Sequence, residues 1–231
     1  MIYNYVTLHS EQLDEEEVYQ RRLFRVVVIG LARSGTSMMS GICEKLGVDW
    51  LYNSEDPDAL EKRERAAKRR FGNQYRMNDQ FFEVAKNSFE EHMKFYATPY
   101  SGMKWLLPIN KSRVSSIARF VPIRVIQMWR DPEEIRQSQI ASYHGSKLFT
   151  EEQKQGQRAA IHSSLVEGHE FFEEHDIPHI NVKYREVLEN PEEKVAKIAE
   201  FINAPKGTQD AVDWVDPKKN RFKEECLSKT T

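Results

Sequence analysis

The sequence predicts an α/β fold in three layers, a central parallel sheet flanked by helices on both faces. Three observations point there. Apolar runs of strand length alternate with longer helical patterns. The run Phe24, Val26, Val27, Val28 and Ile29 is continuously apolar and mostly β-branched, as in a strand covered on both sides. A glycine-bounded loop then joins that run directly to a helical pattern.

In chain order, residues 1–22 read as a polar extension, acidic around Glu11 to Glu17. The first strand leads into a loop from Gly30 to Gly35. Thr36 to Leu46 then has helical spacing, with Gly47 placed to end it. Residues 52–100 are the most charged stretch and read as helices of variable boundary. Met103 to Leu107 reads as a short strand, Ser112 to Phe120 as a helix, and Arg124 to Trp129 as a second buried strand. Pro132 suits the first position of the helix that continues over Glu133 to Ser142, because that position needs no amide hydrogen. A long amphipathic helix is expected over Glu151 to His175, a strand over Ile177 to Val182, and a helix over Pro191 to Ile202. The chain after Pro205 reads as irregular.

Length and composition bound the function. A chain of 231 residues suits one domain over 1–231, and no repeat or low-complexity linker divides it. Lys and Arg number 34 against 36 Asp and Glu, a net charge of -2, so bulk charge draws the protein to neither nucleic acid nor an anionic membrane. Anion binding must be local. Cys43 and Cys226 have neither metal-ligand nor CxxC spacing, and no apolar run approaches the roughly 20 residues that span a bilayer. A soluble, cytoplasmic protein is expected.

The segment Gly30-Leu31-Ala32-Arg33-Ser34-Gly35-Thr36-Ser37 has the spacing of GxxxxGK[ST], with Thr36 where the lysine stands. Glycines let successive amides face one anion, and the helix start adds its partial positive charge. Arg33 offers a full charge from another point of the loop. Phosphoryl transfer from ATP or GTP normally uses the missing lysine together with a magnesium-holding acid. A sulfuryl group carries less negative charge, so backbone amides and side-chain cations suffice for it.

Gly30 to Met39 (GLARSGTSMM) resembles the 5′-phosphosulfate loop of sulfotransferases, in particular a bacterial group whose loop runs GLPRSGTSMM. Arg124 to Gln139 (RVIQMWRDPEEIRQSQ) is similar to the strand, turn and helix that bind the 3′-phosphate in that P-loop-like superfamily. Lys104 to Pro108 (KWLLP), Tyr184 to Glu200 and Val215 to Arg221 (VDPKKNR) add weaker matches. The resemblance implies an enzyme using 3′-phosphoadenosine-5′-phosphosulfate (PAPS) and releasing the 3′,5′-bisphosphate (PAP). It assigns Arg33, Ser34, Gly35, Thr36 and Ser37 to the 5′-phosphosulfate, and Arg130 and Ser138 to the 3′-phosphate. Tyr184 matches a position near the adenine and equally suits the core. Arg221, with Lys218 and Lys219, matches a basic tail that closes over the nucleotide. The acceptor, a small molecule or glycan with a hydroxyl or amine, falls to residues 52–100 and to the loop after Ser142.

Catalysis on this reading needs an in-line attack, a base for the acceptor's proton, and cations for charge growing on the bridging oxygen. Arg33 suits the last task. Lys104 is the second candidate, because KWLLP resembles the KTHLP segment of cytosolic sulfotransferases. Leu106 replaces the histidine of that segment, so the usual base is absent. Asp79 is nominated instead, from a stretch corresponding to a Tyr-Glu segment of the bacterial group, with Glu55 and Asp56 behind it. His144 follows the 3′-phosphate helix, while His162, His169 and His175 lie on or beside the long helix. None is credited with a metal-binding partner at helical spacing, and no metal is expected. A binding module that has lost catalysis is the alternative, and a divergent kinase or NTPase is a third reading.

Overall fold

The computed structural model describes residues 24–50, 100–107, 111–142, 150–204 and 206–215. Strands β1 (Arg25–Gly30), β2 (Asp49–Trp50), β3 (Ser101–Leu106), β4 (Ile123–Trp129) and β5 (His179–Lys183) form one sheet in the order β2-β3-β1-β4-β5. Every neighbouring pair is parallel. Helices α1 (Thr36–Lys45), α2 (Lys111–Phe120), α3 (Pro132–Ser142), α4 (Glu151–Glu174), α5 (Tyr184–Glu189), α6 (Pro191–Phe201) and α7 (Gln209–Asp213) cover it.

Alternation along β1 explains the continuous apolar run. Val26 and Val28 face a cluster with Met39 and Ile42 of α1, Val187 of α5, Val195 and Ile198 of α6 and Ala211 of α7. Val27 and Ile29 face the other cluster, with Val114 and Ile117 of α2, Ile135 of α3 and Ile161, Leu165 and Phe172 of α4. Each of these four β1 side chains is at most 1% exposed, a burial worth roughly 1.5–3 kcal/mol apiece. The result is the three-layer α/β arrangement that the alternation of elements predicts.

Several boundaries follow from identifiable chemistry. Asp131 Oδ1 accepts from the amides of Glu133 at 2.8 Å and Glu134 at 3.2 Å, so the Arg-Asp-Pro turn is an N-cap followed by a proline at the first helical position. Thr150 and Gln153 form a capping box that starts α4. Gly47, at φ 95°, terminates α1 in the left-handed region, and the Val48 amide reaches back to the Cys43 carbonyl at 3.0 Å.

Four elements differ from the sequence reading, the first being the two-residue β2, too short to show a pattern. Strand β5 starts at His179 rather than Ile177, because the Ile177 amide closes the end of α4 on the Phe172 carbonyl at 2.9 Å. Tyr184 opens the short helix α5, where the sequence reading places no element. The segment after Pro205 contains α7, which buries Ala211 against the core.

Candidate functional site

Strand register brings the two anion motifs together. Gly30 at the exit of β1 pairs with Met128 of β4 and Leu106 of β3, so the loop after β1 sits beside the turn after β4. The chain leaves β1 toward β2 and β3 on one side and later returns to β4 and β5 on the other. Such a reversal is where open parallel sheets place their ligands, beyond the carboxyl ends of the strands.

The loop is tightly built. Gly35 has φ 99°, a region costly for any side chain, and a Cβ there would lie 2.4 Å from Tyr184 Cδ2. A Cβ on Gly30 would lie 2.4 Å from Ser34 Oγ and 2.9 Å from Thr36 Cγ2. The Ser34 hydroxyl is therefore tucked under the loop, buried and without a hydrogen-bond partner among the described residues, while its amide bonds the Leu31 carbonyl at 3.0 Å. Thr36 is buried where a phosphate-loop lysine would stand. The first amides of α1 lack intrahelical acceptors, as at any helix start, and supply donors and partial positive charge.

Two cations flank these donors. Lys104, only 3% exposed on β3, places its Nζ 3.2 Å from Ser37 Oγ in the first turn of α1. Arg33, itself in the left-handed region at φ 77°, turns the other way and donates from Nε to Ser138 Oγ of α3 at 3.0 Å. Lys104, not Arg33, is thus the cation next to the helix start that holds Ser37. The sequence motif alone does not give that division, because it depends on the register of β3 against β1.

The turn after β4 grips the loop in return. Arg130 Nη1 donates to the Arg33 carbonyl at 2.9 Å, and Gln139 Nε2 reaches the Ala32 carbonyl at 3.3 Å. Arg130 Nε also binds Glu134 Oε2 at 2.9 Å, and its guanidinium lies 4.3 Å from the Tyr184 ring centroid. Burial opposes ionisation of Glu134, yet hydrogen bonds from Arg130 and Arg185 outweigh it and hold the carboxyl below its usual range. Burial pushes the Tyr184 phenol up, against the pull of the Arg130 charge, so the ring stays neutral beneath the arginine. Tyr184 packs in the core and from there supports Gly35 and Arg130.

Arg33, Ser34, Gly35, Thr36, Ser37, Lys104, Arg130, Ser138 and Tyr184 therefore gather at adjoining strand exits. Asp79, Arg221, Glu55, Asp56, Lys218, Lys219 and His144 lie outside the described residues. Gln139 and Glu134 were not singled out by the motif reading. Their signal lies in helical spacing after Asp131, which puts position 134 beside Arg130 and position 139 one residue beyond Ser138.

A parallel α/β sheet with a glycine-bounded strand–loop–helix turn and a second basic turn beside it defines the class, a fold of phosphate-loop type. A sequence profile described as the sulfotransferase family matches residues 25–209, and the chain belongs to that family. No curated protein matches the chain in sequence. Similar solved structures include a retinol dehydratase in complex with androsterone and inactive cofactor PAP, at 15% identity and TM-score 0.45. That match covers 86% of this chain and 66% of the other, so this chain spans less than two thirds of its length. Another is the sulfotransferase domain of the Synechococcus PCC 7002 olefin synthase, at 12% identity and TM-score 0.43, covering 87% of this chain and 83% of that domain. Among the described residues no helix is long and apolar enough to cross a membrane.

Proposed function

We propose that this protein transfers a sulfuryl group from PAPS to a hydroxyl or amine of a small-molecule or glycan acceptor and releases PAP. The observation that carries the reading is the junction of the two motifs, with Arg33 Nε 3.0 Å from Ser138 Oγ and Arg130 Nη1 2.9 Å from the Arg33 carbonyl. Donors encoded about a hundred residues apart along the chain meet at one place. A ligand with one anion on each side of a ribose fits such a pair of donor sets.

The donor chemistry suits PAPS. Around the loop stand helix-start amides, the Ser37 hydroxyl and the Lys104 ammonium, and around the turn stand Arg130 and Ser138. The carboxylate among them, Glu134, is held by two arginines. When bound, PAPS supplies a sulfuryl group attached to a phosphate leaving group. Ser37, Thr36, the Gly35 backbone and Lys104 orient its 5′ end, and Ser34 shapes the loop from beneath. Arg130 and Ser138 hold the 3′-phosphate, with Tyr184 stacked under Arg130 beside the adenosine.

Arg33 stands between the two ends and neutralises charge on the bridging oxygen as the bond to sulfur breaks. Asp79 takes the acceptor's proton and Arg221 closes over the nucleotide, two roles carried from the family resemblance. With Arg33 and Lys104 supplying charge, the transfer itself calls for no metal. A reducing, cytoplasmic setting fits the buried free thiol of Cys43.

Thermal unfolding with PAP, ATP, GTP and AMP tests the ligand class, because a ligand that binds only the folded chain raises its apparent stability. PAP is expected to stabilise most, without magnesium. Magnesium-dependent stabilisation by ATP that PAP does not match overturns the reading.

A further inference from the structure

At the turn joining α4 to β5, three side chains converge away from the anion site. His169 Nδ1 lies 2.8 Å from His179 Nε2, and Glu173 Oε1 lies 3.3 Å from the same nitrogen. One ligand-capable atom from each residue falls within 4.8 Å of the others. His169 and Glu173 are one turn apart on α4. His179 is brought back to them because Asp176, at φ 50°, reverses the chain at the helix end.

Hydrogen-bond bookkeeping at this cluster leaves lone pairs facing one another. His179 Nδ1 sits 3.0 Å from the Ile177 carbonyl, which only accepts, so Nδ1 carries the proton and a neutral ring bares its lone pair at Nε2. Trp129 Nε1, which only donates, binds Asn181 Oδ1 at 2.7 Å. The Asn181 amide nitrogen therefore points the other way, reaching His169 Nδ1 at 3.3 Å. That contact requires a lone pair on His169 Nδ1 as well. With the His179 ring neutral, two nitrogen lone pairs and a carboxylate share one small volume, where either a metal ion or a proton on His179 Nε2 relieves their repulsion.

We propose that His169, Glu173 and His179 form a site for a divalent metal of zinc type. The ligands are His169 Nδ1, His179 Nε2 and a Glu173 carboxylate oxygen, with water in the fourth position. Two imidazoles and a carboxylate are a donor set that zinc favours. Zinc–nitrogen bonds of about 2.0–2.1 Å in a tetrahedron separate ligand atoms by about 3.3 Å, so the histidine pair opens by roughly half an ångström on binding.

The outer shell is in place. The Ile177 carbonyl fixes the His179 tautomer in the manner of metal-bound histidines, and the Phe172 ring packs 5.4 Å from the His179 ring. The His179 side chain is 7% exposed while that of Glu173 is 65% exposed, which gives the ion a way in from solvent. His179 begins β5, whereas the anion site lies beyond the opposite, carboxyl ends of the strands. The metal would therefore act apart from that site, tying the end of α4 to the edge strand.

The test is zinc and cobalt titration of the full chain after chelation and dialysis, with circular dichroism as the check on folding. The wild-type chain is expected to bind one equivalent of zinc, to unfold at a higher temperature with it, and to give the visible absorption of tetrahedral cobalt. His179→Gln and the exposed Glu173→Ala should each weaken zinc binding by more than the roughly 10–100-fold that loss of an outer-shell partner costs. Absence of stoichiometric binding in the wild-type chain overturns the proposal. So does equal affinity in both folded variants, which would mean that other histidines hold the metal or that a shared proton occupies the cluster.

Discussion

Arg33 Nε donates to Ser138 Oγ at 3.0 Å, joining the loop after β1 to helix α3 across 105 positions of sequence. A guanidinium is charged at every accessible pH, so this bond parks a permanent cation between the two motifs. On the proposed function, a phosphate arriving at Ser138 would compete for the same hydroxyl, and occupancy at one end would change where Arg33 points at the other. Ser138→Ala should lower PAP affinity about tenfold, the scale of one hydrogen bond to a charged group. Calorimetry checks this, and unchanged affinity removes Ser138 from the 3′-site. Arg33→Ala should cost turnover about 100-fold while affecting PAP affinity less. Normal rates with an accepted substrate end its proposed role.

Arg130 is held by Glu134, by the Arg33 carbonyl and by the Tyr184 ring, so its guanidinium plane is fixed before any ligand arrives. Arg130→Ala should weaken PAP binding by about 1.5–3 kcal/mol, as expected for a charge-assisted contact. Arg130→Lys should rescue only part of it, because an ammonium reproduces neither the fork nor the stack. Full rescue by lysine would mean that charge alone matters there.

How far the sequence carries depends on whether a signal is local. The β1 run was readable because covering both faces makes Val26 to Ile29 uniformly apolar, and the Asp131-Pro132 pair marks a helix start by itself. The six-residue α5 and five-residue α7 are too short to show periodicity, so the sequence reading passes over both. The motifs name Arg33 and Arg130, yet the contact of Lys104 with Ser37 depends on strand register. The cluster of His169, Glu173 and His179 escaped because helical spacing reaches only the first two, and the third lies past a chain reversal.

Gly35 combines a left-handed φ of 99° with the Tyr184 ring against its missing side chain. Gly35→Ala has no low-strain solution, since the backbone region costs about 1–3 kcal/mol and the methyl group must displace the ring under Arg130. PAP binding should be lost more completely than the fold. The check is PAP titration beside thermal unfolding, and a variant that binds PAP normally refutes the tight loop geometry.

Asp79 is nominated for the proton of the acceptor, a role that acts only in the chemical step. Asp79→Asn should lower kcat steeply and leave PAP affinity near that of the unaltered chain, because an amide keeps the size and loses the basicity. Steady-state rates with any accepted substrate, beside PAP calorimetry, separate the two quantities. Full activity eliminates Asp79 as base.

Glu133, in the first turn of α3, receives hydrogen bonds from Arg136 and Gln137 and an ion pair from Arg158 of α4 at 3.3 Å. The Arg136 hydrogen bonds lead, burial opposes them, and the carboxyl is held down to about 2 from an ordinary value of 4.5. A carboxyl depressed on folding stabilises the fold when ionised in both states, so its contribution is complete above about pH 4.5 and fades as pH falls toward 2. The Glu133 side chain is 30% exposed, and screening by solvent reduces that contribution to about 1 kcal/mol or less. Glu133→Gln should therefore lower stability modestly at pH 7 and flatten the acid limb between pH 4.5 and 2. Denaturant unfolding of both chains across that range checks it. A constant difference down to pH 2 would assign the effect to helix packing in place of charge, because only an ionisable side chain loses its contribution as protons are added.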